Sequence, residues 1–236
     1  MEIKFNPNTN RYDYDGDLHR EELKKFVAKN GKGFIVDFGE VTGLFDCSKL
    51  KLTSLKGAPQ KVDGNFDCSY NYLTSLEEAP KEVGRSFDCS HNHLTSLEGA
   101  PREVSGDYRC HNNDLTSLKG ISEHIKGEFY CSYNQLTSLE GDLRQVDEYF
   151  ECSHNLLKSL KGLPEVIGGG IDCSCNYLTS LEGSPRYVDG DFDCSHNNLK
   201  SFKGAPEAVS GRFYFNYNLK LASLKGMPKN KESYSY

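Results

Sequence analysis

Residues 62–76 read VDGNFDCSYNYLTSL, and the architecture of the chain follows from this stretch. Phe66 and Cys68 alternate in it with Asp67 and Ser69, which is the period-two pattern of a β-strand with one buried face. The cysteine recurs at intervals of 21 residues at Cys47, Cys68, Cys89, Cys110, Cys131, Cys152, Cys173 and Cys194. A fixed period of this length predicts a repeat solenoid, because one short coil buries its apolar edge only by stacking on its neighbours.

The composition indicates a thin, elongated core. The chain has 236 residues, of which 36% are hydrophobic and 26% are charged, and its mean hydropathy is -0.64. These values are too polar for one compact core, yet Leu, Phe, Tyr, Val and Cys recur too regularly for a disordered chain. The net charge of -6 gives no general basic surface, so nucleic acid is not the expected partner.

The sequence carries no signal for export or for membrane insertion. The first residues, 1–6, lack the apolar run of a signal peptide, and no stretch approaches the length of a membrane span. We therefore expect a cytoplasmic protein with no membrane contact. Its nine cysteines are expected to be reduced, since disulfides are rare in that compartment.

Phe66, Cys68, Asn71 and Leu73 are spaced as in the pattern L-x-x-L-x-L-x-x-N-x-L, with Phe and Cys in two of the Leu positions. In this the chain resembles leucine-rich repeat proteins, and the short period and the Leu-Thr-Ser-Leu segment are most similar to their short bacterial class. Related repeats occur in uncharacterised phage and bacterial arrays and in the recognition domain of bacterial effector ubiquitin ligases. The resemblance covers about residues 41–228. It implies parallel strands on a concave face and turn or polyproline-like returns on a convex face, and says little about function.

One asparagine per coil follows the strand. The column comprises Asn71, Asn92, Asn113, Asn134, Asn155, Asn176, Asn197 and Asn218, and Leu50 takes its place in the first coil. Buried polar groups need partners, so these amides are predicted to bond backbone groups at the bend.

Both ends lie outside the repeat. In residues 1–40, Asp17 is a helix-capping residue ahead of a predicted helix at about 18–29, and a strand is predicted at about 34–38, so this segment is interpreted as a small α/β cap over the first coil. Residues 229–236 form a predicted polar tail. Because an open strand edge invites pairing, a homodimer through the C-terminal end is also a hypothesis.

Two outward stripes on the concave face are the candidate binding surface. The residue before each cysteine is acidic in most coils but is Arg109 and Tyr130 in the middle, and the residue two after each cysteine is rich in Tyr and His. The predicted binding residues are Asp88, Arg109, His111, Asn112, Tyr130, Tyr133, Glu151, His154 and Asp172. Departures from the repeat also fall in the middle coils, at His111, Ser122, Leu143 and Glu148. Sequence drift after duplication is the alternative explanation of the acidic stripe.

Cys175 lies outside the regular column, between His154 and His196 in the same stripe. Neighbouring coils could bring these three side chains together around zinc, or pair the thiol with a histidine for catalysis. The alternative is a small residue that drifted into a Tyr/His position. We predict neither a metal nor another cofactor.

These features favour a non-catalytic module that binds a protein partner through its concave face, and the resemblance suggests a phage or bacterial modulator of a host or defence factor. One alternative is an acidic nucleic-acid mimic that occupies a basic cleft. Another is the substrate-recognition part of an effector enzyme whose catalytic domain is absent from this sequence.

Overall fold

The computed structural model describes residues 3–230 and shows a β-solenoid of stacked coils. The predicted fold class, a repeat solenoid with parallel strands, is confirmed. Helix is confined within the described residues to α1 (Arg20–Leu23) and the short 3-10 turn η1 (Lys24–Phe26). None of the helices in residues 3–230 has the length and apolar character needed to cross a membrane.

Every repeated coil contributes two short strands. In chain order the strands are β1 (Ile3–Asn6), β2 (Arg11–Tyr14), β3 (Phe38–Val41), β4 (Phe45–Asp46), β5 (Lys61–Val62), β6 (Phe66–Asp67), β7 (Glu82–Val83), β8 (Phe87–Asp88), β9 (Glu103–Val104), β10 (Tyr108–Arg109), β11 (His124–Ile125), β12 (Phe129–Tyr130), β13 (Gln145–Val146), β14 (Phe150–Glu151), β15 (Val166–Ile167), β16 (Ile171–Asp172), β17 (Tyr187–Val188), β18 (Phe192–Asp193), β19 (Ala208–Val209), β20 (Phe213–Tyr214) and β21 (Lys229–Asn230).

The even-numbered strands from β4 to β20 form one continuous nine-stranded sheet, here called the phenylalanine sheet. Each strand pairs in parallel with the next at a shift of one coil, as in Phe45 with Phe66 and Phe66 with Phe87. This sheet contains the strands that the sequence predicted. Its regular register puts equivalent residues of successive coils side by side.

The odd-numbered strands form a second ladder, here called the valine sheet. Strands β1, β2 and β3 and the odd-numbered strands from β5 to β15 make one nine-stranded sheet, and β17, β19 and β21 make a separate three-stranded one. The sequence predicted only turns and polyproline-like backbone on the return, and the valine sheet shows that this prediction was incomplete. Val62 has no second apolar side chain two residues away, since Gln60 and Gly64 stand there, so the return lacks the alternation that Phe66 and Cys68 give the other sheet.

Columns of identical side chains fill the space inside the coils. Phe66, Cys68, Leu73 and Leu76 are fully buried, as are their equivalents in most other coils. Rings of neighbouring coils contact one another, and those of Phe45 and Phe66 stack with 5.5 Å between their centroids. All nine cysteines are free, and the eight in the regular column are buried. Burial raises the pKa of these eight thiols, so they pack as small hydrophobic side chains.

The asparagine column holds successive coils together. In one coil, Asn134 Oδ1 accepts a hydrogen bond from the N–H of Leu115 at 2.9 Å, and Asn134 Nδ2 donates to the carbonyl of Cys110 at 3.1 Å. Both partners belong to the preceding coil. The same Nδ2 donates to Cys131 and Ser132 within its own coil. The predicted role of the amides is therefore confirmed. The first coil has no repeated coil before it to bond, which is why Leu50 fits in the asparagine position there.

The N-terminal segment covers both ladders, with element boundaries that differ from the prediction. Strands β1 and β2 form a hairpin, and β2 pairs with β3 to extend the valine sheet. Leu18 forms a bridge to Phe45 at the edge of the phenylalanine sheet. The helix predicted over 18–29 is shorter because Val27 turns into extended backbone and pairs with Phe34. The strand predicted at 34–38 instead starts at Phe38, which pairs with β2, and pairing with β5 follows at Glu40.

The C-terminal segment also differs from the prediction. The predicted tail of residues 229–236 begins as strand β21, which pairs in parallel with β19 and so continues the valine sheet. Residues 231–236 lie outside the described residues.

Replacing one asparagine of the column should destabilise the fold strongly. Asn134→Ala leaves buried backbone groups of two coils without a hydrogen-bond partner. Each such group costs about 1–3 kcal/mol, so we expect the free energy of unfolding to fall by about 2–4 kcal/mol. Urea denaturation followed by circular dichroism measures this loss. The matched control is Gln135→Ala, which removes only an exposed hydrogen bond to Asp114 and should change stability by less than about 0.5 kcal/mol. Equal effects of the two substitutions would contradict the role of the asparagine.

Candidate binding face

The predicted concave surface corresponds to the outward side of the phenylalanine sheet and the bend that follows it, here called the strand face. Arg109 pairs in register with Tyr130, and Tyr130 with Glu151, so these three predicted binding residues lie side by side. They belong to the acid lane, the residue before each regular cysteine and its equivalent in the last coil: Asp46, Asp67, Asp88, Arg109, Tyr130, Glu151, Asp172, Asp193 and Tyr214. The bend lane, two residues after each regular cysteine and after Phe215 in the last coil, is Lys49, Tyr70, His91, Asn112, Tyr133, His154, Cys175, His196 and Tyr217.

All nine residues of the bend lane have left-handed backbone. Their φ angles lie between 52° and 56°, a region that costs residues other than glycine and asparagine roughly 1–2 kcal/mol. The bend imposes this conformation. In each coil that has the asparagine, its side chain reaches back to two preceding carbonyls, as Asn71 does to Cys68 and Ser69, and the residue between Ser69 and Asn71 must reverse the chain.

Within the bend lane the aromatic side chains stack in pairs along the solenoid. The ring centroids are 4.0 Å apart for Tyr70 and His91 and 4.1 Å apart for Tyr133 and His154. His196 and Tyr217 form a third pair at 4.3 Å. Tyr133 remains 51% exposed. The lane therefore presents ring edges, hydroxyl groups and imidazole nitrogens on the surface.

Carboxylates of the acid lane also have local structural partners. Asp172 accepts a hydrogen bond from the N–H of Ser174 at 2.8 Å, and Asp67 accepts one from Ser69 at 2.9 Å. Burial raises the pKa of both carboxyl groups, and the neighbouring carboxylates of the lane raise it further, whereas the serine hydrogen bonds lower it. The repeated aspartate thus closes a turn in each of these coils, a structural reason that the sequence interpretation did not include.

In the middle of the acid lane, Arg109 and Tyr130 are engaged within the chain. Arg109 Nη2 lies 2.6 Å from Asp107 Oδ2, and the Tyr130 hydroxyl donates to Glu128. The Arg109 guanidinium also lies over the Tyr130 ring, 5.5 Å from its centroid. Burial, followed by the Glu128 carboxylate, raises the pKa of Tyr130. Asp107 and Glu128 were not among the binding residues predicted from the sequence. Each precedes an acid-lane residue by two positions, and the alternation of a strand therefore directs both outward.

His111 is half-buried beside this cluster. Its ring packs edge-on against His91, with 5.4 Å between the centroids. Its Nδ1 is buried and has no hydrogen-bond partner among the described residues. Burial lowers the pKa of His111, which favours the neutral imidazole. Asn112, the next residue, leaves a short side chain in the bend lane.

The other departures from the repeat lie away from the strand face. Ser122 and Leu143 are buried on the return, where Ser122 Oγ donates to the carbonyl of Pro101 at 2.8 Å. Ser122 also lines a cleft beside His124 on the valine-sheet side. Glu148 lies between β13 and β14, at the corner that joins the two sheets. Of the four departures from the repeat in the middle coils, only His111 therefore lies on the strand face.

The zinc alternative at Cys175 is not supported by the geometry. His154 stacks on Tyr133 and His196 stacks on Tyr217, so each imidazole packs on the coil away from Cys175. No group of three or more His, Cys, Asp and Glu residues able to hold a metal ion occurs among residues 3–230. Burial raises the pKa of the Cys175 thiol, which opposes the thiolate that nucleophilic catalysis requires.

A third lane of exposed side chains follows the asparagine column and was overlooked in the sequence. It includes Tyr72, Leu156 and Tyr177, which are 52%, 40% and 53% exposed. Tyr177 follows Cys175 by two residues, and Leu156 follows His154 by two. The signal was present in the sequence, since Tyr and Leu alternate there with the buried Asn and Leu positions.

Comparison with protein-family models, with curated proteins and with solved structures finds no match to this chain.

The left-handed backbone predicts a stabilising substitution. Cys175→Asn should raise the free energy of unfolding by about 0.5–1 kcal/mol, because asparagine tolerates this conformation better than cysteine. Chemical denaturation measures the change. Lys161→Asn, on an exposed residue of the return without positive φ, is the control and should not stabilise the protein. A loss of stability in Cys175→Asn would show that the bend does not strain its side chain.

Proposed function

We propose that this chain is a non-catalytic protein-binding module that holds a protein partner on its strand face. The observation that carries the proposal is the bend lane, in which eight of nine residues at left-handed φ are neither glycine nor asparagine. Backbone strain of this kind persists where the side chain has a role, and it clusters at binding sites.

The energy balance supports a role beyond folding. Stacking of an aromatic pair contributes about 0.5–1.5 kcal/mol, which is less than the strain of about 2–4 kcal/mol in the two left-handed residues that form it. Asn112 occupies the same backbone position without such a ring, so the bend itself does not require Tyr or His. Folding alone gives no reason to keep rings at most positions of the lane.

The surface favoured for binding is displaced from the predicted middle toward the C-terminal coils. Arg109 and Tyr130 are engaged with Asp107 and Glu128, whereas Tyr133, Leu156 and Tyr177 are exposed on three successive coils. Exposed tyrosines on a rigid backbone supply contact area at little cost in rotamer entropy, which is typical of interface anchors. His154, between Tyr133 and Cys175 in the lane, belongs to this patch.

The wider context of the proposal comes from sequence. Kinship with leucine-rich repeat proteins, a phage or bacterial origin, action on a host or defence factor and a cytoplasmic location all stay predictions, as does a homodimer through the C-terminal end. The nucleic-acid mimic has less support, because the aspartates of the acid lane are half-buried and bonded to serine amides. The effector-enzyme alternative has no specific observation in its favour.

The proposal is tested by identifying the partner and then removing one anchor. A photo-crosslinking residue in place of Tyr133, introduced in the native cell, should capture a protein that the same residue in place of Tyr187 does not capture. Tyr133→Asn should then weaken the purified partner's affinity at least tenfold, a change of about 1.4 kcal/mol, while the thermal midpoint changes little.

Tyr187→Asn is the matched control, because Tyr187 is 59% exposed and lies on the valine sheet. It should leave the affinity unchanged. If Tyr187→Asn abolishes binding and Tyr133→Asn does not, the partner binds the valine-sheet side and the proposal is wrong.

A further inference from the structure

The stacked column of the bend lane has a gap at Cys175. On one side of the gap, His154 stacks on Tyr133 with an interplanar angle of 17°, and on the other, His196 stacks on Tyr217 with an angle of 22°. Each imidazole therefore has one face covered by tyrosine. The other face of each ring is directed along the solenoid toward the coil of Cys175, whose side chain is short and partly exposed.

The gap has room for a planar group. His154 and His196 belong to coils two steps apart, and parallel strands are spaced by about 4.8 Å, which places the two coils roughly 10 Å apart. A planar group in van der Waals contact with rings on both sides needs about 7–8 Å. Cysteine, unlike the tyrosine or histidine found at most other positions of the lane, leaves this space open.

The charges beside the gap are negative. Glu151, Asp172 and Asp193 occupy the acid lane in the same three coils, paired in register across β14, β16 and β18. Burial raises the pKa of Asp172, and the carboxylates of Asp193 and Glu151 raise it further. A cation placed here would relieve this repulsion among the carboxylates.

A second gap, at Asn112, provides an internal comparison. There the acid lane contributes Arg109 and Tyr130, so the chain supplies its own guanidinium, which bonds Asp107 and lies over an aromatic ring. The ring of His111 packs against His91 and occupies part of the space. This gap also lies between two stacked rings, those of His91 and Tyr133, but His111 occupies part of it, and it lacks the run of carboxylates found at Cys175.

We propose that the gap over Cys175 is a slot for an arginine side chain of the protein partner, with the guanidinium between His154 and His196 and its N–H groups directed at Asp172. Arginine fits because the guanidinium is planar, stacks on rings and bonds carboxylates through two parallel hydrogen bonds. A lysine ammonium matches the charge but not the planar shape. This inference rests on the proposed function, because it specifies which side chain of the protein partner the strand face binds.

The experiment uses the full chain and the capped tripeptide Gly-Arg-Gly, with Gly-Lys-Gly and Gly-citrulline-Gly for comparison. Binding is followed by the NMR signals of the His154 and His196 ring protons and by the rate at which iodoacetamide alkylates Cys175. We expect the arginine peptide to shift both histidines and to slow alkylation. The lysine and citrulline peptides should bind at least about tenfold more weakly, since each lacks either the planar shape or the charge.

Two pairs of variants test the site. Cys175→Tyr fills the gap with a residue that the lane already holds at the same φ, and should abolish the histidine shifts, whereas Asn112→Tyr should not. Asp172→Asn keeps an acceptor for the Ser174 amide but removes the charge, and should weaken arginine binding at least about tenfold. Asp67→Asn, at an equally half-buried carboxylate with the same serine contact, should have no effect.

The inference is overturned if the arginine peptide leaves the His154 and His196 signals unchanged, if the lysine peptide binds equally well, or if Asn112→Tyr abolishes binding as Cys175→Tyr does. These outcomes are distinct from a failure of the proposed function. If Cys175→Tyr leaves the affinity of the captured partner unchanged while Tyr133→Asn weakens it, the strand face binds a partner without the arginine slot.

Discussion

The side-chain amide of the repeated asparagine is the interaction on which the rest of the structure depends. Its oxygen accepts from a leucine amide of the preceding coil, and its nitrogen donates to carbonyls of both coils, as in the bonds of Asn92 to Leu73, Cys68 and Cys89. The backbone amides and carbonyls bonded in this way are buried at the bend, outside the strands. Leaving one of them without a hydrogen bond would lower the stability of the fold. One residue type thus sets both the bend within a coil and the register between coils.

The exposed face follows from that constraint. The bend that the asparagine closes leaves the preceding residue in left-handed backbone with its side chain outside the core. The lane of Tyr, His, Asn, Lys and Cys is therefore carried on a backbone held by buried bonds. Its side chains can vary without disturbing the Phe, Cys and Leu columns, which is the separation of scaffold and surface typical of solenoid binding proteins.

Much of the architecture could be predicted from the period and the alternation of residues 62–76, including the strand at Phe66, the buried cysteines and the asparagine column. The valine sheet could not, because Val62 and its equivalents have no second apolar side chain two residues away, whereas Phe66 and Cys68 form such a pair. The N-terminal helix was overestimated since the pairing of Val27 with Phe34 is a tertiary contact. On the candidate face, the lanes were predictable from spacing, but the engagement of Arg109 with Asp107, the engagement of Tyr130 with Glu128, and the stacking of His154 on Tyr133 depend on rotamers that no pattern specifies.

Amide hydrogen exchange tests the central role of the asparagine most directly. The amide of Leu115 donates to buried Asn134 Oδ1, whereas the amide of Lys119 donates to exposed Ser117 Oγ in the same coil. Both bonds end on a side-chain oxygen, so they differ mainly in burial and in the coils that they join. If the asparagine holds the coils together, Leu115 exchanges only when coils separate, at least about a thousandfold more slowly than Lys119. Exchange of Leu115 at the rate of Lys119 would contradict the account.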